Sequence, residues 1–324
     1  MEIVAADIGG THARFAIAEV AEGRVVRLDE AVTLKTAEHG SLQLAWEAFA
    51  REIGRPLPRA AGIAVASPIQ GEVLKLTNNP WIIRPAMIAQ RLGLDDHVLV
   101  NDFGAVAHAV AQVAPDQLRH LCGPDQPIPD EGVISIVGPG TGLGVALLLL
   151  RRDGRNHVIE TEGGHIDFAP LDRIEDAILA DLRAKFRRVS IERVVCGPGL
   201  VNIHASLAAI EGQPVPARDD KALWAAALSG ADSLAVAALD RFCMSLGSVA
   251  GDIALAQGGR AVVIAGGLGL RIADMLPSSA FAQRFTAKGR FETLMSKIPV
   301  RLLVHPQPGL LGAAAAFAEH LARD

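Results

Sequence analysis

A chain of 324 residues, half of them apolar, is long enough to bury two cores of ordinary domain size. Its 31 basic and 36 acidic residues are spread along the chain for a net charge of −5, and tyrosine is absent, which argues against nucleic acid as a partner. Cys122, Cys196 and Cys243 fit neither a close metal-ligand spacing nor a disulfide framework, and no uninterrupted apolar stretch approaches the ~18 residues of a membrane span. The chain opens in a strand-like run with no basic leader, so a reducing cytoplasm is the expected setting.

Residues 3–6 are a short apolar run, followed by Asp7-Ile8-Gly9-Gly10-Thr11 and then by period-two alternation over 15–20, which reads as strand, glycine turn, strand. The two glycines let backbone N–H groups approach a ligand closely, Thr11 adds a hydroxyl, and Asp7 at the strand end can bind a hydrated metal ion. An ordinary Gly-Gly hairpin with Asp7 and Thr11 as turn formers accounts for the same residues. A third run at 25–28 extends the meander, and Ser41 opens a helix whose apolar residues, Trp46 among them, recur at core spacing until Pro56 and Pro58. A buried strand follows at 62–66. The polar loop Thr77-Asn78-Asn79-Pro80-Trp81 either binds a polyol or makes turns, and 85–92 reads as a helix.

At 98–100 a buried strand ends in Asn101-Asp102, and a packed helix follows over 104–113. In open α/β sheets ligands sit beyond the carboxyl ends of the strands, where such a pair can hold and deprotonate a hydroxyl. Capping of the helix by Asp102 is the structural alternative. The Pro-, Asp- and Gly-rich stretch 115–132 is expected to pass from a first domain to a second.

The run 133–137 enters Gly138-Pro139-Gly140-Thr141-Gly142-Leu143-Gly144, and an apolar run resumes at 145–150, repeating the strand, glycine turn, strand of the N-terminus. The turn is neither a nucleotide P-loop, which requires Gly-Lys-Ser/Thr, nor a Rossmann fingerprint, which requires a helix next. Glu160-Thr161-Glu162-Gly163-Gly164-His165 puts a carboxylate and an imidazole on a glycine hinge, chemistry suited to binding hydroxyls; a lone Glu and His make a poor zinc site. Asp172 to Glu175 has the form of a capping box. Glu192 stands at a helix start, as a cap or a ligand contact. The stretch 232–257 is a long Ala-rich helix whose Gly247 and Gly251 predict close packing, and 261–265 is a strand entering Gly266-Gly267, a turn that can lie against a nucleotide. A helix at 288–297, a strand at 300–304 and a final helix at 308–322 complete the reading, the last returning to the first domain.

In order, the motifs Asp-Ile-Gly-Gly-Thr, Thr-Asn-Asn-Pro-Trp, Asn-Asp-Phe, Gly-Thr-Gly-Leu-Gly, Glu-Gly-Gly-His-Ile-Asp-Phe-Ala-Pro, Glu-Arg-Val-Val-Cys-Gly-Pro-Gly-Leu and Pro-Gly-Leu-Leu-Gly cover nearly the whole chain. The series resembles bacterial glucokinases of the non-zinc type, within the superfamily of sugar kinases, actin and heat-shock chaperone ATPases. The resemblance implies a two-domain α/β fold of the actin-like ATPase (ribonuclease H-like) kind, each domain a mixed sheet flanked by helices. Its implied division is 1–112 plus 303–324 against 113–302, with the active-site cleft between them.

By the same resemblance, Asp102 is the general base toward the 6-hydroxyl of glucose, and Asn101, Glu162, His165 and Glu192 contact the sugar. Asp7 lies near magnesium, Gly9, Gly10, Thr11, Gly140, Thr141 and Gly142 at the phosphates of ATP, and Gly266 and Gly267 at the adenosine. A cytoplasmic homodimer acting in glycolysis, without structural zinc, is also implied. His12 departs from the pattern, since relatives more often carry Asn there. A kinase for mannose or an amino sugar, a sugar-sensing regulator and a partner-driven ATPase are the rival readings.

Overall fold

The structure is a computed structural model and describes residues 1–76, 79–214 and 219–322. The chain divides into two compact units, one formed by Met1–Ala114, Asp153–Glu160 and His305–Asp324, the other by Pro115–Arg152 and Thr161–Val304.

In the first unit the strands lie in the order Arg24–Leu28, His12–Ala21, Glu2–Ile8, Ala60–Val65, Asp96–Asn101, and Val32–Lys35 also pairs with His12–Ala21. Glu2–Ile8 runs antiparallel to His12–Ala21 and parallel to Ala60–Val65, which is in turn parallel to Asp96–Asn101. Alternation along the first two strands sorts their side chains to two cores. Val4, Ala6, Ile8, Phe15 and Ile17 pack with Trp46 and Phe49 of the helix Leu42–Ile53, and Ile3, Ala5, Ala16 and Ala18 pack with Leu310, Ala314 and Phe317 of the helix Pro308–Leu321. Ser41 caps Leu42–Ile53 by accepting the Leu44 N–H at 3.2 Å, and Gly54, at φ 68°, ends it before the prolines are reached.

The C-terminal helix approaches its neighbours at backbone distance. A Cβ on Gly312 would overlap the Ala105 carbonyl of the helix Asp102–Val110, and one on Gly62 would overlap the carbonyl of Ala313. Gly312→Ala is therefore expected to destabilise the first unit by about 1–3 kcal/mol, since two helix backbones must separate to admit the methyl. Urea unfolding followed by Trp46 and Trp81 fluorescence tests this, and an unchanged midpoint would contradict it.

In the second unit the order is Leu143–Leu150, Gly132–Pro139, Gly259–Ile264, Val300–Leu303, Leu118–Cys122. Leu143–Leu150 is antiparallel to Gly132–Pro139, and the next two strands continue in parallel. The first unit has the same sequence of pairings, so the repeat read as strand, glycine turn, strand extends to the two parallel strands beyond it. Helices Arg173–Phe186, Gly197–Ile210, Asp220–Ser229 and Ser233–Gln257 build the core around Leu182, Ile203, Trp224, Leu239, Phe242 and Leu246. Ser233–Gln257 is long and apolar enough to cross a membrane by length and composition, but Phe242, Cys243, Leu246 and Gly247 on it are buried within this unit. Gly247 and Gly251 lie against the carbonyls of Phe281 and Phe285, the close packing their spacing predicts.

Several elements differ from the sequence reading. Val32–Lys35 is a strand, too short and too exposed to carry a periodic signal. Leu118–Cys122 is an edge strand inside the stretch taken as a passage, and it pairs antiparallel with Val300–Leu303. The helix expected over 288–297 is a 3₁₀ turn, Gly289–Phe291, followed by the short helix Glu292–Met295, with Gly289 at φ 56° interrupting the start.

Candidate active site

In the first unit the candidate residues gather at the carboxyl ends of two strands. Asp7 ends Glu2–Ile8 opposite Arg14, whose Nη1 lies 3.2 Å from its Oδ2. Gly309, in the first turn of the C-terminal helix, packs on the same carboxylate, where a Cβ would come within 2.7 Å of Oδ2. Burial raises the Asp7 carboxyl above its ordinary range, against the pull of Arg14. The adjoining turn closes through Gly9 N–H to the His12 carbonyl at 2.9 Å. The fold also engages its carbonyls: Asn79 Nδ2 donates to Gly9 O at 3.4 Å, Thr36 Oγ1 to Gly10 O at 2.9 Å and Thr36 N to Thr11 O at 3.0 Å. These bonds fix the peptide planes of Gly9, Gly10 and Thr11. Thr77 and Asn78, read with Asn79 as a polar loop, lie outside the described residues.

Asn101 ends the strand Asp96–Asn101, and Asp102 opens the helix Asp102–Val110. The helix cap is Asn101: its Oδ1 accepts from Phe103 N at 2.8 Å and Gly104 N at 3.2 Å, while its Nδ2 donates to Ser67 O at 3.2 Å. Asp102, the other candidate cap, accepts from Phe103 N at 2.9 Å. Burial, with a further push from the negative charges of Asp7 and Glu160, raises its carboxyl to about 6 against the pull of the backbone amides of Phe103 and Asp102. A carboxylate with its pKa near the working pH is suited to take a proton from a hydroxyl.

In the second unit the candidates converge on the turn between Gly132–Pro139 and Leu143–Leu150. Gly140 N–H reaches Gly142 O at 2.8 Å, and Gly140 O accepts from Gly197 N at 2.8 Å, at the start of the helix Gly197–Ile210. Glu192 accepts from Leu143 N through Oε2 at 2.9 Å, and its carboxylate fills the space a side chain at Gly142 would need. Glu192 therefore braces the glycine turn.

Gly163 and Gly164 pack on the same strand, Gly164 against the Leu143 carbonyl and Gly163 against Val145. They present Glu162 and His165 largely to solvent, with Oε2 and Nε2 3.9 Å apart. Ile191 N donates to Ile166 O at 2.8 Å, which ties the segment after His165 to the one carrying Glu192. Gly266, at φ 82°, abuts the Pro139 carbonyl, whereas the space beside Gly267 is open. Thr141 sits at the tip, exposed. The structure thus collects Asp7, Gly9, Gly10, Thr11, Asn101 and Asp102 in one unit and Gly140, Thr141, Gly142, Glu162, His165, Glu192, Gly266 and Gly267 in the other.

Sequence reasoning gave no role to Glu160, whose Oε1 accepts from the Asn101 backbone N–H at 2.7 Å. Its partner lies 59 residues away, and no local pattern marks it.

A hairpin with a glycine-rich turn, continued by two parallel strands and built twice, with a half-buried carboxylate at a strand end, is the arrangement of the actin-like ATPase fold to which sugar kinases belong. A family model described as glucokinase matches residues 4–320. The glucokinase of Zymomonas mobilis is 68% identical over 318 residues, covering 98% of each chain. The crystal structure of glucokinase from an Antarctic psychrotroph superposes with a TM-score of 0.85 at 32% identity, covering 98% of both chains. The structure of a ROK family glucokinase from Streptomyces griseus in complex with glucose and AMPPNP has a TM-score of 0.63 at 20% identity, covering 100% of this chain and 99% of that one, a likeness of fold. The chain belongs to the glucokinase family.

Proposed function

We propose that the protein transfers the γ-phosphoryl group of ATP to the 6-hydroxyl of D-glucose, with Asp102 as the general base. The observation that carries this reading is Asp102 itself: a half-buried carboxylate at a strand-to-helix junction, raised to about 6, whose capping duty is taken by the neighbouring Asn101. Membership of the glucokinase family and the AMPPNP-bound relative support ATP as donor. In the step proposed, Asp102 accepts the hydroxyl proton as the sugar oxygen bonds to phosphorus and the bridging oxygen departs with ADP.

Transfer of a phosphoryl group rests on positioning and charge stabilisation. The peptide planes at Gly9, Gly10 and Thr11, and at Gly140, Thr141 and Gly142, are held by the hydrogen bonds described above and suit the phosphates, with Gly266 and Gly267 at the adenosine. Glu162, His165, Glu192 and Asn101 suit the sugar hydroxyls. Charged partners would discriminate strongly against a sugar lacking or inverting one of them. Asn101 contributes with most of its side chain already engaged.

A hydrated magnesium ion held by one carboxylate and the substrate phosphates fits Asp7, whose burial beside Arg14 leaves a carboxylate that a cation would keep ionised. When bound, the ion would neutralise charge developing on the transferred phosphate. We further propose a cytoplasmic homodimer acting in glycolysis, with no structural zinc.

The test is ADP formation from magnesium ATP with glucose, mannose, fructose, N-acetylglucosamine or no sugar, using protein stripped by a chelator and resupplied with magnesium only. Glucose-dependent turnover is expected. Preference for mannose or an amino sugar would move the substrate assignment. ATP binding without turnover on any sugar would overturn the kinase reading in favour of a sugar-sensing regulator.

A further inference from the structure

We infer that Glu160 is a positioning residue for phosphoryl transfer, its carboxylate holding the Asn101 backbone amide and thereby fixing the strand-to-helix junction on which Asp102 stands. The inference rests on the assignment of Asp102 as base. Three observations carry it. Glu160 Oε1 accepts the Asn101 N–H at 2.7 Å, a charge-assisted bond to the residue immediately before the base. Gly104, two residues after Asp102, leaves room for that carboxylate, since a Cβ there would lie 2.5 Å from Oε1. Finally, Asp153–Glu160, which ends at Glu160, groups with the first unit although the chain on either side of it belongs to the second.

The bond has a consequence for the reaction beyond holding a peptide. The groups whose charge raises Asp102 are Asp7, itself paired with Arg14, and Glu160, so Glu160 acts on the base through its charge as well as through the amide. Two residues further on is Glu162, proposed to contact the sugar. One short stretch of chain therefore carries a grip on the substrate and the brace for the base.

Glu160→Ala removes the acceptor, and kcat at saturating glucose is expected to fall roughly 10–100-fold, with KM for glucose changed by no more than about threefold. Glu160→Gln keeps an acceptor oxygen and should restore most of the turnover, while loss of the like charge moves the acid limb of kcat/KM to lower pH. Gly104→Ala should reproduce the loss of turnover by displacing the carboxylate, although alanine is the better helix former.

Hydrogen exchange at the Asn101 amide supplies a readout independent of catalysis: protection should drop in Glu160→Ala and Gly104→Ala and persist in Glu160→Gln. Unchanged Asn101 protection in Glu160→Ala, full turnover with that protection lost, a Gln variant as slow as the Ala variant, or an acid limb that does not move would each overturn the inference. Failure of the base assignment is separable, because Asp102→Asn would then stay active while Asn101 exchange still reported the bond.

Discussion

Asp102→Asn is expected to lower kcat by roughly 10²–10⁴-fold while glucose binding, read by equilibrium titration, stays within about threefold. The amide keeps the shape and the acceptor oxygen that takes the Phe103 N–H, but it cannot remove a proton at neutral pH. The pH profile follows from the raised carboxyl. Below about 6 Asp102 is protonated and inactive as a base, so wild-type kcat/KM should fall along an acid limb near that value, and the limb should vanish from the residual activity of the variant.

Stability should move the other way. A carboxyl whose folded value lies above its unfolded one contributes stability that is complete below the ordinary carboxylate range and is lost as pH rises through about 6. At pH 7 the neutral asparagine escapes that loss, so the variant should be more stable than wild type by on the order of 1–2 kcal/mol, a difference that disappears near pH 4. A variant that keeps wild-type turnover would remove Asp102 from the chemistry. One that loses turnover and stability together would place the residue in the fold instead.

The parts of this site that could be read from the chain are those written into local pattern. The two glycine turns lie between runs of clear periodicity, and the strand, turn, strand units form there, with Ile8 opposite Ala13 and Pro139 opposite Leu143. The Asn101-Asp102 junction is equally local: an apolar strand, two polar residues and a helix of small residues. The division of labour within it was not legible, because Asn and Asp are near-equivalent helix caps and only the rotamers decide which one turns inward. Asn101 does so here, capping Phe103 N and Gly104 N, while Asp102 accepts from Phe103 N.

What depends on distant partners left no trace. Glu160 finds Asn101, Glu192 finds Leu143 and Asn79 finds Gly9 across separations of 59, 49 and 70 residues. Each is a single polar contact, without the repetition that makes a hydrophobic period visible. Glu192 read as a helix-start acid, whereas its carboxylate in fact braces a glycine turn in another segment.

The same limit applies to Asp172, legible as the cap of Arg173–Phe186 and confirmed by bonds of 3.0 Å from both Ile174 N and Glu175 N. Its larger role is in a buried charge network. Arg284 Nη2 donates to Asp172 Oδ2 at 2.7 Å and to Glu175 Oε1 at 3.0 Å, Arg241 joins Asp172, and Glu175, only 2% exposed, also accepts the Leu171 N–H at 2.7 Å. Arg284→Ala should destabilise the second unit by about 3–5 kcal/mol, because it leaves the Glu175 carboxylate buried with its nearest remaining cation, Arg241, 3.9 Å away.

Arg284→Met combined with Glu175→Gln should recover much of that loss, since no uncompensated buried charge remains. The acid side provides an independent check. Burial pushes the Asp172 carboxyl up, but the Glu175 amide and the two arginines outweigh it and hold the group below its ordinary range. A carboxyl lowered in this way contributes stability above its unfolded value that is lost as pH falls through the folded one. Arg284→Ala should weaken that dependence, so the gap between variant and wild type should narrow in acid.

Hydrogen exchange along Ser233–Gln257, which carries Arg241, measures the effect within this unit. An exchange pattern equal to wild type would mean the network contributes nothing net. Since the backbone between His165 and Glu192 is anchored at Asp172, KM for glucose should rise in Arg284→Ala at temperatures where Asp102, in the other unit, still supports a normal kcat.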